Sequence, residues 1–484
     1  MGIDDVSVFE ARGKSRFVLG DLQGARQDLK KAINMGGGDD KAVLYLLARI
    51  NFQLKEYKEA IQYVDLAIQK GIKDSDAFVL LGTSKYNLQD GEGAVIALQQ
   101  AIKAGAQDSD VFLLLGKAEY EIKKYEASLI NLDHAIRKGS TDSKAYFYRG
   151  KIKLSKNDVP GALSDLKNAV DKGYNDAEAF YLLGRANLSQ KNYSEAIESF
   201  SRSISLGNKE IDVFKNMAFA QYENQLYKEA LNNLNKVVAM GDSDPEVFLY
   251  KAILEFESGD YKTALTSFEK TGSIPPSSKV LLYKAYSNFH LKNYIETIDY
   301  LNKAEKSGAE ADMKMLSTRG MAYFELKDYK QAAEELNKAV NLGNKESAIL
   351  AALGNAFFLL ENFKAAIVAY DKAIISGAND EVVFNNRGKA KANLLDFKGA
   401  IIDYDNAIAK KPDYLKAFQN RGYAYYELKD YKLCIADLHK LIEKNQADQQ
   451  THLILGFSKF ELKDFKGAVA DLYRAVELGG RVYS

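Results

Sequence analysis

Residues 177–210 read AEAFYLLGRANLSQKNYSEAIESFSRSISLGNKE, and the same pattern of small and aromatic residues recurs down the chain at a spacing that hardly moves from 34. With Ala177 as register position 1, Phe180 stands at position 4, Gly184 at 8, Tyr193 at 17, Ala196 at 20 and Phe200 at 24. The register starts again at 6, 41, 75, 109, 143, 177, 211, 245, 278, 313, 347, 381, 415 and 449, fourteen copies that leave no room for another domain. A fixed period in this range marks a solenoid, in which each unit buries its apolar face only against its neighbours.

Within a copy, apolar residues fall at positions 4, 8, 12 and 14 and again at 17, 20, 21, 24, 27 and 28. Both runs have the i, i+3, i+4 spacing of an amphipathic helix, so each copy is expected to be a helical hairpin, helix A then helix B. Polar turns such as Lys191-Asn192, Lys327-Asp328 and Lys429-Asp430 separate the two. Position 8 is Gly in ten copies and Ala in four. Gly costs about 1 kcal/mol of helix propensity, so its recurrence points to two backbones in close approach. Position 31 is Gly in eleven copies, from Gly36 and Gly71 through Gly479, as expected just beyond a helix end. Asp74, Asp108, Asp142, Asp176 and Asp380 follow three residues later and are placed to cap the next helix. Pro412 takes the place of that signal once.

These residues resemble the tetratricopeptide repeat (TPR) family over about 475 of the 484 residues. The matched pattern is aromatic or Leu at 4, Leu-Gly or Arg-Gly at 7–8, Asp-Tyr at 16–17, Ala at 20, aromatic or Leu at 24 and Ala at 27. Trp is absent, position 32 is Pro only at Pro276 and Pro412, and position 11 is mostly polar (Lys153, Glu255, Lys391). The resemblance implies an all-α fold, an α-solenoid wound as a right-handed superhelix, with A helices on the concave side and B helices on the convex side.

One stretch leaves the register. In TGSIPPSSK, residues 271–279, position 27 is Thr271 and Pro275-Pro276 forbids further helix. We therefore expect one continuous solenoid in two parts, residues 6–277 (repeats 1–8) and 278–484 (repeats 9–14), with a hinge or a plain surface loop at 272–278.

Lys plus Arg and Asp plus Glu both number 66, which leaves no global field for nucleic acid or an anionic membrane. No apolar run approaches the length of a membrane span, so no direct insertion is expected. The lone Cys434 excludes intramolecular disulfides. No polar capping helix follows the last repeat, from which we expect a segment trimmed from a longer protein. Lys-, Asn- and Tyr-rich usage points to a bacterial source, with the periplasm or cell envelope the expected compartment and the cytoplasm the alternative.

Four histidines, His134, His290, His439 and His452, lie in four different repeats without metal-ligand spacing, and no phosphate-binding or nucleophile motif occurs. His452, at position 4, and Cys434, at position 20, read as core residues. The expectation is a non-catalytic protein with neither cofactor nor metal.

Function is then expected in the groove, which family members line with helix A positions 2, 5, 9 and 13. Position 5 supplies Tyr45, Val79, Leu113, Phe147 and Tyr181, and position 9 supplies Arg185, Phe219, Ile253, Tyr286 and Met321. Tyr423, Leu453 and Phe457 extend the series. An apolar wall of this kind suits a protein or peptide partner, anchored on Phe147 and Tyr181 among others, unless neighbouring A helices bury it. Lys144, Lys151 and Arg185 make repeats 5–6 positive; Asp212, Glu223, Glu246 and Glu257 make repeats 7–8 negative. Asn355, Asn386 and Lys416 match three places of a chaperone-tail carboxylate clamp, but Ala351 and Asn420 fill the other two. An asparagine ladder at position 6 is confined to Asn216, Asn386 and Asn420. The reading is a protein-interaction scaffold within a larger cell-envelope or secretion assembly. The alternatives are a chaperone adaptor or peptide receptor, and the substrate-targeting arm of a larger enzyme.

Overall fold

The computed structural model describes residues 5–272 and 277–480. Among the described residues there are twenty-eight α-helices, two per repeat, and no strand. In repeat 6, helix A spans Ala177–Ser189 and helix B Tyr193–Ser205. Between the two helices of every repeat, position 15 is left-handed. It is Gly20 and Gly259 in two copies and a non-glycine residue such as Lys191 (φ 62°) or Leu395 (φ 65°) in the other twelve. The sequence shows a polar turn there but not its handedness.

The packing rule within a hairpin is the contact between positions 8 and 24. A Cβ on Gly184 would stand 2.6 Å from Phe200, and one on Gly354 2.6 Å from Tyr370. Phe200, Phe268, Tyr370, Tyr404, Leu98 and Leu132, all at position 24, are among the largest fully buried side chains. The small residue at 8 thus makes room for the large one at 24, and burial of these side chains supplies about 1.5–3 kcal/mol each.

Helix ends follow the expected chemistry with two changes. Asp142, Asp176 and Asp380 accept the backbone N–H of the following helix, whereas Asp74 and Asp108 make no such bond. The position 16 aspartates, among them Asp90, Asp158 and Asp396, cap helix B as well. Gly36 through Gly377 carry the expected positive φ, but Gly479 lies inside the last helix, Phe465–Gly480.

The chain forms two compact units, Met1–Ser243 with repeats 1–7 and Asp244–Ser484 with repeats 8–14. In the first, the chain runs past Ala32 into a kink at Gly36, whose φ is 107°, at the end of the 35-residue repeat 1. In the second, helix B of repeat 8 is cut to nine residues, Tyr261–Glu269, and Thr271 turns its hydroxyl back onto the Phe268 carbonyl at 2.7 Å. Pro275-Pro276, on which the expected break rests, lies outside the described residues.

An ion bridge absent from the sequence reading ties successive repeats. Arg149 at position 7 reaches Asp165 of its own helix B at 2.5 Å and Asp133 of the preceding repeat at 2.6 Å, and Lys153 meets Asp165 at 2.8 Å. In the second unit Arg387 repeats this with Asp403 and Asp371, and Arg421 with Asp437 and Asp405. Asp403 and Asp165 are buried, so these bridges fix the junctions in a low-dielectric setting where losing one partner is expensive.

Candidate binding face

Several residues at positions 5 and 9 of the A helices line pockets where successive repeats meet. In the first unit, Val79 and Leu113 share a pocket of about 330 Å³ with Thr83, Lys117 and Asp142. Tyr181 and Arg185 share one of about 580 Å³ with Glu178 and Asp212. The Arg185 guanidinium lies 5.8 Å from the Tyr181 ring centre, and Asn216 donates to the Tyr181 hydroxyl at 3.4 Å. In the second unit, Tyr286 and Met321 line a pocket of about 560 Å³ with Met313, Lys314 and Ile349. Lys314 stands 4.3 Å over the Tyr286 ring, and burial, with Asp312 second, pushes the Tyr286 hydroxyl up to about 12. Tyr423 borders a pocket of about 380 Å³ beside Asn420 and Leu395.

Exposure divides the candidate residues. Phe147 is only 3% exposed, Leu113 6% and Tyr286 8%, so these three are not solvent-facing anchors. Phe147 is closed in by Tyr174, at a ring separation of 4.5 Å, and by Tyr148 at 5.5 Å. Tyr45, Val79, Tyr181, Phe219, Ile253, Met321, Tyr423 and Leu453 are half-buried, while Arg185 and Phe457 are exposed. The exposed and half-buried candidates are therefore the ones that keep accessible side-chain surface on this face.

Repeats 3–5 add Tyr86, Lys117, Tyr120 and Tyr148, which sequence reasoning did not select, around Phe147 and Lys151, which it did. Lys117 lies 5.1 Å from the Tyr86 ring centre and 5.9 Å from that of Tyr148; Lys151 lies 5.2 Å from both Tyr120 and Phe147. Tyr86 donates to Glu121 at 2.6 Å, and its hydroxyl is held far above the ordinary tyrosine range by burial first and this carboxylate second. These residues sit at positions 6, 9 and 12, and a search restricted to apolar residues at 5 and 9 passes over them.

The clamp and ladder positions bind one another. The Asn355 side-chain oxygen accepts from the Tyr370 hydroxyl at 2.7 Å and from Asn386 at 3.1 Å, and Asn420 donates to Asn385 at 2.8 Å. Asn355 therefore spends its acceptor inside the repeat stack. His452 is also more than an apolar packing residue: its Nδ1 lies 3.0 Å from Asp471. Cys434 is buried as expected, and burial pushes its thiol up to about 11.

On the B-helix side of the first unit lies a further pocket of about 910 Å³, between helix B of repeat 5 (Val159–Asp171) and repeat 6. It opens where positions 7 and 23 are Leu183 and Ser199 instead of an Arg–Asp bridge.

A stack of helical hairpins with pockets at several A-helix junctions defines an α-solenoid. The sequence pattern of the tetratricopeptide repeat family matches residues 10–75, 79–143, 149–210 and 317–381, more than half of the chain, and the protein belongs to that family. The pattern of anaphase-promoting complex (cyclosome) subunit 3 matches residues 223–304. Similar solved structures include YrrB, a TPR protein described as having an unusual peptide-binding site. It has 20% identity and a TM-score of 0.34, over 39% of this chain and 96% of that one. A chain of the APC/C hetero-tetramer Cut9–Hcn1 has 14% identity and a TM-score of 0.32, over 95% of this chain and 96% of that one. MamA from Desulfovibrio magneticus RS-1 has 21% identity and a TM-score of 0.32, over 34% and 95%. No curated protein matches the sequence. Among the described residues no helix is long and apolar enough to cross a membrane.

Proposed function

We propose that this chain is a non-catalytic protein-interaction scaffold whose A-helix face holds protein or peptide segments. The observation that carries the reading is the sharing of pockets by positions 5 and 9 of neighbouring repeats, Val79 with Leu113 and Tyr286 with Met321. Rows of shallow apolar pockets rimmed by lysine and acid suit extended or helical segments, which gain affinity from many modest contacts. The match to a subunit of a multiprotein complex at residues 223–304 supports service within a larger assembly.

A chaperone-tail receptor is disfavoured, because Asn355 is already engaged by Tyr370 and Asn386. The test is a Tyr181→Ala/Arg185→Ala double variant against a binding peptide selected by display. Binding should weaken by about 2 kcal/mol with helicity intact; unchanged binding would count against the face.

A further inference from the structure

We propose that the pocket of about 380 Å³ between helix A of repeat 12 (Glu381–Asn393) and helix A of repeat 13 (Leu415–Glu427) takes an aromatic side chain of a bound segment, seated against Phe397. This rests on the reading of the A-helix face as a peptide-binding surface and gives one of its pockets a guest.

The other repeats show what fills this place. Position 12 is aromatic in eleven repeats and Leu in two; in repeat 12 it is Ala392. In nine repeats the ring at 12 packs against a ring at 17, with centroids 5.4–6.0 Å apart. Phe358–Phe363 in the repeat before and Tyr426–Tyr431 in the repeat after are two of them. The same ring can also reach position 6 of the next repeat, as Tyr120 does with Tyr148 at 5.3 Å and Phe256 with Tyr283 at 4.9 Å. Repeat 12 keeps the ring at 17 and lacks the ring at 12. Phe397 is half-buried and has no ring partner among the described residues. The pocket opens between Ala392, Phe397 and Asn420, which hold positions 12, 17 and the next repeat's 6.

Two further departures from the repeat pattern border the same pocket. Position 15 is polar or Gly in thirteen repeats, and here it is Leu395, an exposed apolar side chain on the pocket rim. Tyr404 lines the pocket at 1% exposure, and among the described residues its hydroxyl has no hydrogen-bond partner. Its counterpart one repeat earlier, Tyr370, donates to Asn355 at 2.7 Å, but Lys389 stands at the Asn355 position in repeat 12. The pocket therefore combines an unpaired host ring, an apolar rim and a buried hydroxyl left open to a guest. A cavity of about 150 Å³ can hold a benzene ring, so there is room for an aromatic side chain. Edge-to-face contact with Phe397 would reproduce the packing of the nine filled repeats, a preference that an aliphatic guest does not share.

The test uses the full chain and a random peptide display library, selected on the wild type with and without an excess of soluble Ala392→Phe. That variant restores the ring the other repeats carry, so it should stay helical, melt no lower than the wild type and close the pocket. As competitor it removes every peptide that does not need the pocket. Peptides that survive the competition should share one aromatic residue, and replacing it by Leu should weaken binding to the wild type about tenfold. On Ala392→Phe the same replacement should matter less than about twofold. Survivors that carry an aliphatic residue instead overturn this proposal and leave the peptide-binding face standing. So does a competitor that removes every enriched peptide. Enrichment of nothing, even without competitor, overturns both. If Ala392→Phe loses helicity, Ala392→Leu, which copies Leu154 and Leu188 at the same position, takes its place.

Discussion

Asn131 donates to the carboxylate of Glu119 at 2.7 Å, and three repeats later Asn233 donates to Gln221 at 2.8 Å from the same two register positions. The neutral pair and the charged pair occupy one geometry. Burial holds the Glu119 carboxyl above its ordinary range, with the Asn131 bond pulling the other way. A raised folded-state pKa stabilises below the unfolded value, and that contribution is lost as pH rises through the folded pKa. Glu119→Gln should therefore stabilise the chain at pH 7, on the order of 1 kcal/mol. The advantage should vanish on acidification below the unfolded carboxylate range. Denaturation midpoints across pH check it, and a variant less stable at neutral pH would refute it.

Leu395 holds φ at 65° in the hairpin turn of repeat 12 and is 76% exposed. A leucine gains little there and pays the steric penalty of the left-handed region. Leu395→Asn should raise stability by about 0.5–1 kcal/mol, read as a higher thermal midpoint. The equivalent change at Lys429, already a straight polar chain, should do less.

Arg387→Leu leaves Asp403 buried with only Lys391 at 2.8 Å, and should destabilise by about 3–5 kcal/mol. Repeat 11 carries Leu353 and Ala369 at the same two positions. The double variant Arg387→Leu/Asp403→Ala copies that arrangement and should recover at least half of the loss. Denaturant titrations of the single and double variants measure the coupling, and simple additivity would show that the bridge does not act as a unit.

Phe147→Ala should lower stability by about 3–5 kcal/mol, because it empties a packed site beneath Tyr174 and Tyr148. Tyr181→Ala should be far milder, since Tyr181 is half-buried beside an open pocket. Circular dichroism melts of the two variants separate a folding residue from a binding one.

The hairpins, their register and the Gly–aromatic contact were legible because one local rule, a small residue at 8 facing a large one at 24, repeats with the period. Exposure was not. Phe147 and Tyr181 share position 5, yet Phe147 is sealed by Tyr174, the residue just past its own repeat's Gly173, where other repeats place Ala106, Ser140 or Asn208. The ion bridges were hidden for a similar reason: Arg149 and Asp165 are sixteen residues apart, and only the closed hairpin brings them together.

The most direct measurement of the central claim is site-specific photo-crosslinking with a display-selected peptide. A crosslinking amino acid would be placed singly at Tyr181 and Met321 on A helices, and at Ile130 and Ile402, exposed positions on B helices. Adducts at Tyr181 or Met321, competed by unlabelled peptide and absent at Ile130 and Ile402, are what the account predicts. Competed adducts confined to Ile130 or Ile402 would contradict it.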